Sequence, residues 1–167
     1  MRLIPLSIRH APELLLFEQQ NRAWFEQHVE ARPNDFYSLL GVQTHIAELL
    51  MDKALGKGIP TLLVDQHQVI VGRVNLANIG KGKAFLGYRL AHSQTGKGLA
   101  KQAVSMMIEL AKQSDIQRVI GLTSVDNIAS QHVLTSHRFV KKRRLEDFTV
   151  VNGDTKDCIE FWLDLIK

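Results

Sequence analysis

The sequence predicts a mixed α/β fold in which helices cover both faces of one sheet. Runs of alternating or continuous apolar residues indicate strands, and they are interspersed with segments in which apolar residues recur at helical spacing. Read from the N-terminus, these segments give the order βααβββαβαββ, which combines neighbouring strands with strands separated by a helix. We expect the 167 residues to form a single domain, 1–167.

The N-terminal half is predicted to contain two helices and four strands. The first helix begins at a proline, and the second carries Ile46, Leu49 and Leu50 on one side. Pro33 interrupts the chain between the helices, and the polar residues 65–68 join two strands as a hairpin. The predicted strands are 3–8, 61–64, 69–76 and 83–90, and the predicted helices are 12–30 and 45–55, with a loop at 31–37.

The C-terminal half is predicted to contain two helices and three strands. The first helix has an apolar stripe formed by Leu99, Ala103, Met106, Met107 and Leu110. Asn152-Gly153 predicts a tight hairpin turn before the last strand. One face of that strand carries Ile159, Phe161, Leu163 and Leu165. The other predicted elements are helices at 99–112 and 128–136 and strands at 118–124 and 139–151.

Composition and charge exclude several classes of protein. Apolar residues make up 45% and charged residues 23%, and no stretch approaches the roughly 20 apolar residues of a membrane span. The formal charge of +4 suits an anionic cofactor and suits a ribosomal or nucleic-acid neighbour equally well. The basic run 141–144 is interpreted as a solvated strand end, since no aromatic-rich RNA signature accompanies it. We expect no membrane partner and no direct nucleic-acid contact.

Cysteine and histidine usage indicates the compartment and argues against a metal. Cys158 is the single cysteine of the sequence, which excludes an internal disulfide, and we expect a reducing, cytoplasmic location. No cysteine and histidine cluster has the spacing of zinc ligands, so no metal site is predicted. Cys158 also has no histidine nearby in the sequence, so it is not predicted to act as a covalent nucleophile.

Residues 94–100, Gln-Thr-Gly-Lys-Gly-Leu-Ala, are the most informative segment. They lie between the predicted strand 83–90 and the predicted helix 99–112. A glycine-rich turn before a helix presents backbone N–H groups at the positive end of the helix dipole, which favours a phosphate group. Gly96 and Gly98 carry no Cβ, so a ligand can approach the backbone closely. The segment is predicted to bind a ligand that contains phosphate.

Two common phosphate loops do not match this segment. The nucleoside-triphosphate loop requires Gly-x-x-x-x-Gly-Lys and then Ser or Thr, whereas Lys97 lies between the two glycines. The dinucleotide fingerprint requires a third glycine, and position 101 is a lysine. A tight surface loop with a solvated Lys97 stays an open alternative.

Further motifs follow one another along nearly the whole chain. They are Asn21-Arg22, Gly72-Arg73-Val74-Asn75-Leu76, Asn78-Ile79, Gly87-Tyr88, Gly96-Lys97-Gly98-Leu99-Ala100, Val125-Asp126-Asn127-Ile128-Ala129-Ser130, Phe139, Asn152-Gly153 and Asp157. On these motifs the sequence resembles the GNAT superfamily of acetyl-CoA-dependent N-acetyltransferases. Within that superfamily it is similar to the RimJ/RimL branch, the ribosomal-protein N-terminal alanine acetyltransferases and their relatives.

The resemblance implies a GNAT-like three-layer αβα fold with splayed central strands, and acetyl-CoA (CoA) as the cofactor in the opening between them. Backbone amides of about residues 95–100 would hold the pyrophosphate, and Lys97 and Lys101 would add positive charge. Thr95 stands where the family pattern has Gln or Arg, so a side-chain contact at this position is in question. The implied cofactor-binding residues are Tyr88, Leu90, Thr95, Gly96, Lys97, Gly98, Leu99, Ala100, Lys101, Asn127 and Ser130.

The resemblance places the catalytic centre at Asn127 and Ser130. Asn127 would support the pantetheine arm or the reacting end of the cofactor, although an asparagine at this point also serves as a helix cap. Ser130 would hydrogen-bond the thioester sulfur, or it is a partly buried helix serine. Many relatives carry a tyrosine seven residues after this asparagine to protonate the leaving thiolate, and here Leu134 takes that position. Arg138 replaces the usual glycine before Phe139.

No general base follows from the sequence. Phe85 and Lys142 stand where relatives often carry glutamate. The remaining candidates are Glu26, His92, Asp147 and Asp157. An α-amine has a pKa of about 7.7–8.0, so a useful fraction is neutral at pH 7 and little basicity is required. The backbone of about residues 88–90 is expected to polarise the thioester carbonyl.

The acceptor implied by this branch is the α-amine of a protein N-terminus, on a ribosomal or similarly basic protein. Residues 21–40 and the hairpin near Asn152 would form its groove, and Glu26, Glu30 and Asp35 would favour an ammonium group on approach. Two alternatives stay open: a small-molecule amine such as an amino acid, polyamine or drug, and a CoA-binding regulator without turnover. The chain is expected to be a monomer or a homodimer.

Overall fold

The computed structural model describes residues 1–165, which form one seven-stranded sheet with helices on both faces. The strands are β1 (Arg2–Pro5), β2 (Ile59–Val64), β3 (Ile70–Gly80), β4 (Lys83–Leu90), β5 (Arg118–Ser124), β6 (Val140–Val151) and β7 (Asp154–Asp164). The helices are α1 (Ala11–Gln20), α2 (Arg22–Phe25), α3 (Leu39–Ala54), α4 (Leu99–Lys112) and α5 (Ile128–Ser136). The last two residues of the predicted domain, 166 and 167, lie outside the described residues.

The sheet splits at its centre. Its strand order is β1-β2-β3-β4-β5-β7-β6, and β4 and β5 are a parallel pair. These two strands pair only through residues 83–86 of β4 and 118–121 of β5. Beyond that point β4 stays paired with β3 as far as Leu90, and β5 stays paired with β7 as far as Ser124. The central strands splay apart toward their carboxyl ends, which confirms the fold implied by the resemblance.

Each face of the sheet has its own apolar core. On one face α4 and α5 pack against the sheet, and the core includes Met107 and Leu134. On the other face α1 and α3 pack around residues such as Ile46. Adjacent residues of β2 show the two sides directly, because Leu62 belongs to the second core and Leu63 to the first. The split between β4 and β5 lies between these two layers of helices.

The predictions for residues 83–136, in the middle of the chain, are confirmed. The four elements β4, α4, β5 and α5 begin and end at the predicted residues. The basic run lies in β6, where Arg143 pairs with Glu160 at 2.9 Å and Arg144 pairs with Asp157 at 2.5 Å. Both partners belong to β7, so these ion pairs connect neighbouring strands. They support the interpretation of the run as a solvated strand end.

Several boundaries in the N-terminal half differ from the prediction, since β2 begins earlier, at Ile59, and β3 extends further, to Gly80. β1 ends at Pro5, before the predicted end, because Ser7 opens a 3-10 turn. α3 begins at Leu39, well before the predicted start, because Ser38 caps it by accepting the N–H of Gly41 at 3.0 Å. The serine cap sets this helix start, which apolar periodicity alone did not reveal.

The predicted helix 12–30 is wrong, since the structure divides it after α1. Asn21 is 9% exposed, and its Nδ2 donates to the carbonyl of Phe17 at 2.9 Å. Its Oδ1 accepts the N–H of His92 at 2.9 Å. The asparagine ends α1 and ties it to the segment after β4, which brings the residues after α1 to the split. The helices within residues 1–165 are all too short or too polar to span a bilayer.

Candidate active site

The split between β4 and β5 opens into a cavity of about 740 Å³. Residues 86–90 of β4 and 121–123 of β5 line it where the two strands no longer pair. The starts of α4 and α5 line it from one side of the sheet. Residues between Trp24 and Arg32, which follow α1, line it from the other. The cavity runs through the sheet from one layer of helices to the other.

The predicted cofactor-binding residues converge on this cavity with one exception. Those that line it are Tyr88, Leu90, Thr95, Gly96, Gly98, Leu99, Ala100, Lys101, Asn127 and Ser130. Lys97 does not line it, and its Nζ lies at the surface, 3.5 Å from the Oε1 of Gln94. The alternative of a solvated surface lysine therefore fits Lys97 better than a contact with phosphate.

Two glycines shape the loop before α4. Gly96 and Gly98 have φ of +73° and +72°, values that L side chains rarely adopt. A Cβ built on either glycine meets no atom within 4 Å, so the backbone of this loop is open on the side of the missing side chain. α4 begins directly after Gly98, and its first N–H groups have no preceding turn of helix to accept them. The loop has the form of an anion cradle.

Asn127 and Ser130 lie at the start of α5. Asn127 caps this helix, because its Oδ1 accepts the N–H of Ser130 at 3.1 Å. The Oγ of Ser130 lies 2.9 Å from the phenol oxygen of Tyr88 on β4. Burial raises the pKa of Tyr88 above its ordinary value, so the phenol keeps its proton at neutral pH. A pair of hydroxyl groups thus bridges β4 and α5 at the cavity.

Leu134 has a packing role at the position where many relatives carry a tyrosine. It is 2% exposed, and its δ-carbons would lie 2.9 Å from a Cβ added at Gly121 of β5. The missing side chain of Gly121 gives Leu134 its place against the sheet. The phenol next to Ser130 comes instead from Tyr88, a residue 42 positions earlier in the chain.

The four general-base candidates do not line the cavity; they are Glu26, His92, Asp147 and Asp157. Glu26 is engaged by Arg22 at 2.8 Å. The carboxylate of Asp157 accepts the N–H of Asp147 at 2.9 Å and also pairs with Arg144. These two contacts lower the pKa of Asp157, which makes it a poor base. The general base stays unidentified among these four candidates, since none of them lines the cavity.

His28 is a titratable group in the cavity that the sequence did not single out. It packs edge-on against Trp24, with 4.4 Å between the ring centroids, and Trp24 also stacks on His92. The Nε2 of His28 is buried and has no hydrogen-bond partner within residues 1–165. Burial lowers the pKa of His28 below 6.5, so the neutral ring predominates at pH 7. It lies in an irregular segment after α2, where no periodic pattern marks a side chain as facing a cavity.

A buried ion cluster forms another part of the cavity wall. Glu18 of α1 is fully buried, and Arg73 of β3 donates to it at 2.6 Å. Arg89 of β4 lies 3.7 Å from the same carboxylate, and Arg32 lies 4.0 Å from it. All three arginines line the cavity. No pattern along the chain predicts this cluster, because its members are far apart in sequence and meet only when α1 packs on the sheet.

A smaller cavity of about 250 Å³ adjoins the main one at His28 and Asn127. Its lining includes Asp126, which precedes α5, and Asp154, which begins β7. The turn residue Asn152 also contributes to this lining. Lys156 lines the same cavity and pairs with Asp126 at 2.7 Å, whereas Glu26, Glu30 and Asp35 line neither cavity.

Comparison with known proteins identifies the family. A family model described as an acetyltransferase (GNAT) domain matches residues 1–140. The chain is also 30% identical over 161 residues to a probable N-acetyltransferase, YjcK, of Bacillus subtilis (strain 168). That alignment covers 92% of this chain and 87% of YjcK.

Solved structures share the fold closely. RimL, a ribosomal L7/L12 alpha-N-protein acetyltransferase in complex with coenzyme A, gives a TM-score of 0.90 at 24% identity, over 98% of this chain and 93% of that one. The ribosomal-protein-S5-alanine acetyltransferase from Vibrio fischeri gives 0.91 at 21% identity, over 97% of this chain and 91% of that one. With the family match over residues 1–140 and the split sheet already described, the chain belongs to the GNAT family of acetyltransferases.

Proposed function

We propose that this acetyltransferase uses acetyl-CoA and transfers the acetyl group directly to a primary amine, the α-amine of a protein N-terminus. The observation that carries the proposal is the single cavity at the split, which combines an anion cradle, a pair of hydroxyl groups and a neutral histidine. These are the three groups that a transfer from a thioester to an amine needs. They bind the phosphate groups, protonate the leaving sulfur and take up the proton of the amine.

The anion cradle fits acetyl-CoA. A Cβ on Gly96 or Gly98 would cover backbone that is open, so the loop and the first turn of α4 can present N–H groups to a pyrophosphate. Lys101 lines the same part of the cavity and would add positive charge. Beyond Leu86 and Gly121, the facing backbone groups of β4 and β5 no longer hydrogen-bond to each other. They are therefore available to the amides of a pantetheine arm. When bound there, acetyl-CoA supplies an activated acetyl group.

Ser130 and Tyr88 would supply the proton that the leaving sulfur requires. The Oγ–H of Ser130 would donate to the sulfur of the leaving CoA, and Tyr88 would replace that proton through the 2.9 Å hydrogen bond. The proton released by the amine would return to the phenol through solvent, which restores the site after each turnover. Because burial raises the pKa of Tyr88, the phenol is protonated at the start of each turnover. Asn127 holds the first turn of α5 and fixes the position of Ser130.

His28 would take up the proton that the amine loses as its nitrogen bonds to the acetyl carbon. The ring is neutral at pH 7, and its buried Nε2 has no partner within residues 1–165. It also lies where the main cavity meets the smaller one, so an amine entering past Asp126 and Asp154 would reach it. Burial makes His28 a weaker base than a free α-amine, whose pKa is about 7.7–8.0, but the nitrogen becomes much more acidic once it has bonded to the acetyl carbon, and that is the proton the ring would accept.

An N-terminal peptide is supported as the acceptor by the adjoining cavity and by the two solved relatives. The smaller cavity continues from the reaction site to the β6–β7 turn, which gives room for residues that follow the amine. RimL is described as acting on ribosomal L7/L12, and the Vibrio fischeri enzyme on an alanine of ribosomal protein S5. A small-molecule amine is the second candidate, since the arginine-rich wall can hold a compact charged ligand.

An acceptor screen tests this function. Release of the CoA thiol from acetyl-CoA is followed with peptides that begin with Ala or Ser, with polyamines and with free amino acids. The proposal predicts the highest kcat/KM for the peptides, with the acetyl group located on the α-amine by mass spectrometry. Much faster acetylation of polyamines or amino acids would establish the small-molecule candidate instead. Tight binding of acetyl-CoA without turnover on any amine would indicate a regulator.

A further inference from the structure

Three arginines surround one carboxylate in the cavity wall, and this leaves an excess of positive charge. Arg32, Arg73 and Arg89 line the cavity, and Glu18 is the carboxylate that all three approach. The nearby Glu26 does not balance them, because Arg22 engages it at 2.8 Å. Charges removed from water are stable only when they are paired and hydrogen-bonded. The wall therefore favours an additional anion.

Hydrogen bonding separates Arg73 from the other two arginines. Arg73 donates to Glu18 at 2.6 Å, and its other terminal nitrogen lies 2.8 Å from the Nε2 of His45. Burial and the neighbouring arginines lower the pKa of His45 to about 3, so this ring is a neutral acceptor. Through these two contacts Arg73 links β3 to α1 and α3, which is a structural role.

Arg32 and Arg89 lack the hydrogen bonds that hold Arg73. Their distances to Glu18, 4.0 Å and 3.7 Å, are too long for hydrogen bonds, and neither guanidinium donates one within residues 1–165. The Nε of Arg32 is buried without a hydrogen-bond partner, and so is the Oε2 of Glu18, the oxygen that lies 4.0 Å from Arg32 and 3.7 Å from Arg89. Each guanidinium has five N–H groups to donate. Two charged groups with unused donors thus face one cavity.

Aromatic contacts hold these two arginines in place. The guanidinium of Arg32 lies 4.3 Å from the ring centroid of Phe36, and that of Arg89 lies 5.3 Å from the centroid of Phe25. Burial lowers the pKa of Arg32 to about 10 and lowers that of Arg89, yet both stay charged at pH 7. Stacking on a ring face leaves the edges of the guanidinium free to donate.

We propose that Arg32 and Arg89 bind a carboxylate of the acceptor, carried close to the amine that receives the acetyl group. This inference rests on the proposed function for its assignment to the acceptor. The arginines belong to the side of the cavity formed by α1 and the residues after it, whereas the anion cradle lies at α4 on the other side. A planar carboxylate matches the paired N–H groups of a guanidinium. Its source is an acidic side chain near a peptide N-terminus or the carboxylate of a small amine.

Two matched acceptor pairs distinguish these sources. Peptides that begin Ser-Asp and Ser-Asn differ in one carboxylate. Free serine and serinamide also differ in one carboxylate, and their rates are compared per neutral amine because the adjacent carboxylate raises the pKa of the amine. We expect kcat/KM for the acid to exceed that for its amide by about tenfold or more in one pair, as charge-assisted hydrogen bonds predict. The pair that shows the preference identifies the source. Equal rates within both pairs, or a preference for the amides, would overturn the inference.

Variants of Arg32 test whether this arginine causes the preference for the acid over its amide. Arg32→Gln should remove the preference for the acid, and Arg32→Lys should restore part of it. Arg9→Gln removes the same charge from an exposed position outside the cavity and should keep the full preference. A preference that survives in folded Arg32→Gln protein, with the wild-type thermal transition, would contradict the assignment.

Calorimetry measures acceptor binding, so it tests the carboxylate site independently of acetyl transfer. The same four acceptors are titrated into the wild-type protein and the Arg32→Gln variant in the presence of CoA. If no acceptor is acetylated, the proposed function fails, while tighter binding of the acid that depends on Arg32 still supports the carboxylate site. Equal affinities of acid and amide in the wild-type protein would then overturn the inference on their own.

Discussion

The phenol oxygen of Tyr88 lies 2.9 Å from the Oγ of Ser130, and this hydrogen bond joins β4 to the first turn of α5. Both residues line the cavity at the point where β4 and β5 no longer pair. Leu134 occupies the position at which many relatives carry a tyrosine, and it is buried against Gly121. The phenol that the site lacks on α5 is present on β4.

Ser130→Ala should lower kcat by about 10²–10³-fold, because the leaving sulfur loses its proton donor. Tyr88→Phe should lower kcat less, since Ser130 retains its own hydroxyl. The affinity for acetyl-CoA, measured by calorimetry, should change little in either variant. Ser136→Ala is the matched control on the same helix, where the hydroxyl donates to the carbonyl of Val133 and lies outside the cavity. Full activity of Ser130→Ala would exclude the proposed proton donor.

Gly98→Val should weaken acetyl-CoA binding strongly, since its side chain would cover the cradle and its φ of +72° does not suit valine. Gly56→Val is the control, because Gly56 has φ of +69°, also has no atom within 4 Å of a built Cβ, and lies outside the cavity. Both variants carry similar backbone strain, so a difference in calorimetric affinity reports the cradle. Equal affinity in the two variants would place the phosphate groups elsewhere.

His28→Gln should lower kcat and change its pH dependence. Because burial lowers the pKa of His28 from 6.5, the neutral form persists as the pH falls to that value. The acceptor amine gains a proton below its own pKa of about 7.7–8.0 in both proteins, so the informative quantity is the ratio of wild-type kcat to His28→Gln kcat. This ratio should stay level down to about pH 6.5 and fall only at more acidic pH, where the His28 ring gains a proton. An unchanged profile in the variant would assign the proton to another acceptor.

Cys158→Ala should keep most of the activity. The thiol is buried in β7, lies outside the cavity, and burial raises its pKa, so it is a poor nucleophile. Steady-state rates at saturating acetyl-CoA provide the measurement, with circular dichroism as the control for folding. A loss above about a hundredfold, or about 2.7 kcal/mol of activation free energy, would require a covalent role for the thiol.

Local signals explain why the boundaries of α4 and α5 were predicted accurately. Gly98 and Asn127 occupy the cap positions directly before these helices, so α4 and α5 begin where these residues predict. Their neighbours share the cavity because a parallel pair of strands brings both helix starts to one end of the sheet. Short-range patterns and a family resemblance are sufficient for this half of the site.

The other half of the site depends on contacts between distant residues. Asn21 ends α1 by bonding His92, a residue 71 positions away, and no local pattern predicts that break. Glu18 and Arg73 are separated by 55 positions and pair only after α1 packs on β3. His28 follows from the same arrangement, since its segment reaches the cavity through the break at Asn21. These residues could be assigned to the site only from the three-dimensional structure.

A single-turnover measurement tests the central claim most directly. The protein is mixed with acetyl-CoA and a Ser-initiated peptide in equal amounts, and CoA, acetylated peptide and intact protein are quantified by mass spectrometry. Direct transfer predicts one CoA for each acetylated peptide, formation of both only when the peptide is present, and no acetylated protein at any time. Accumulation of an acetylated protein that precedes the product, or no transfer to any primary amine, would contradict the account.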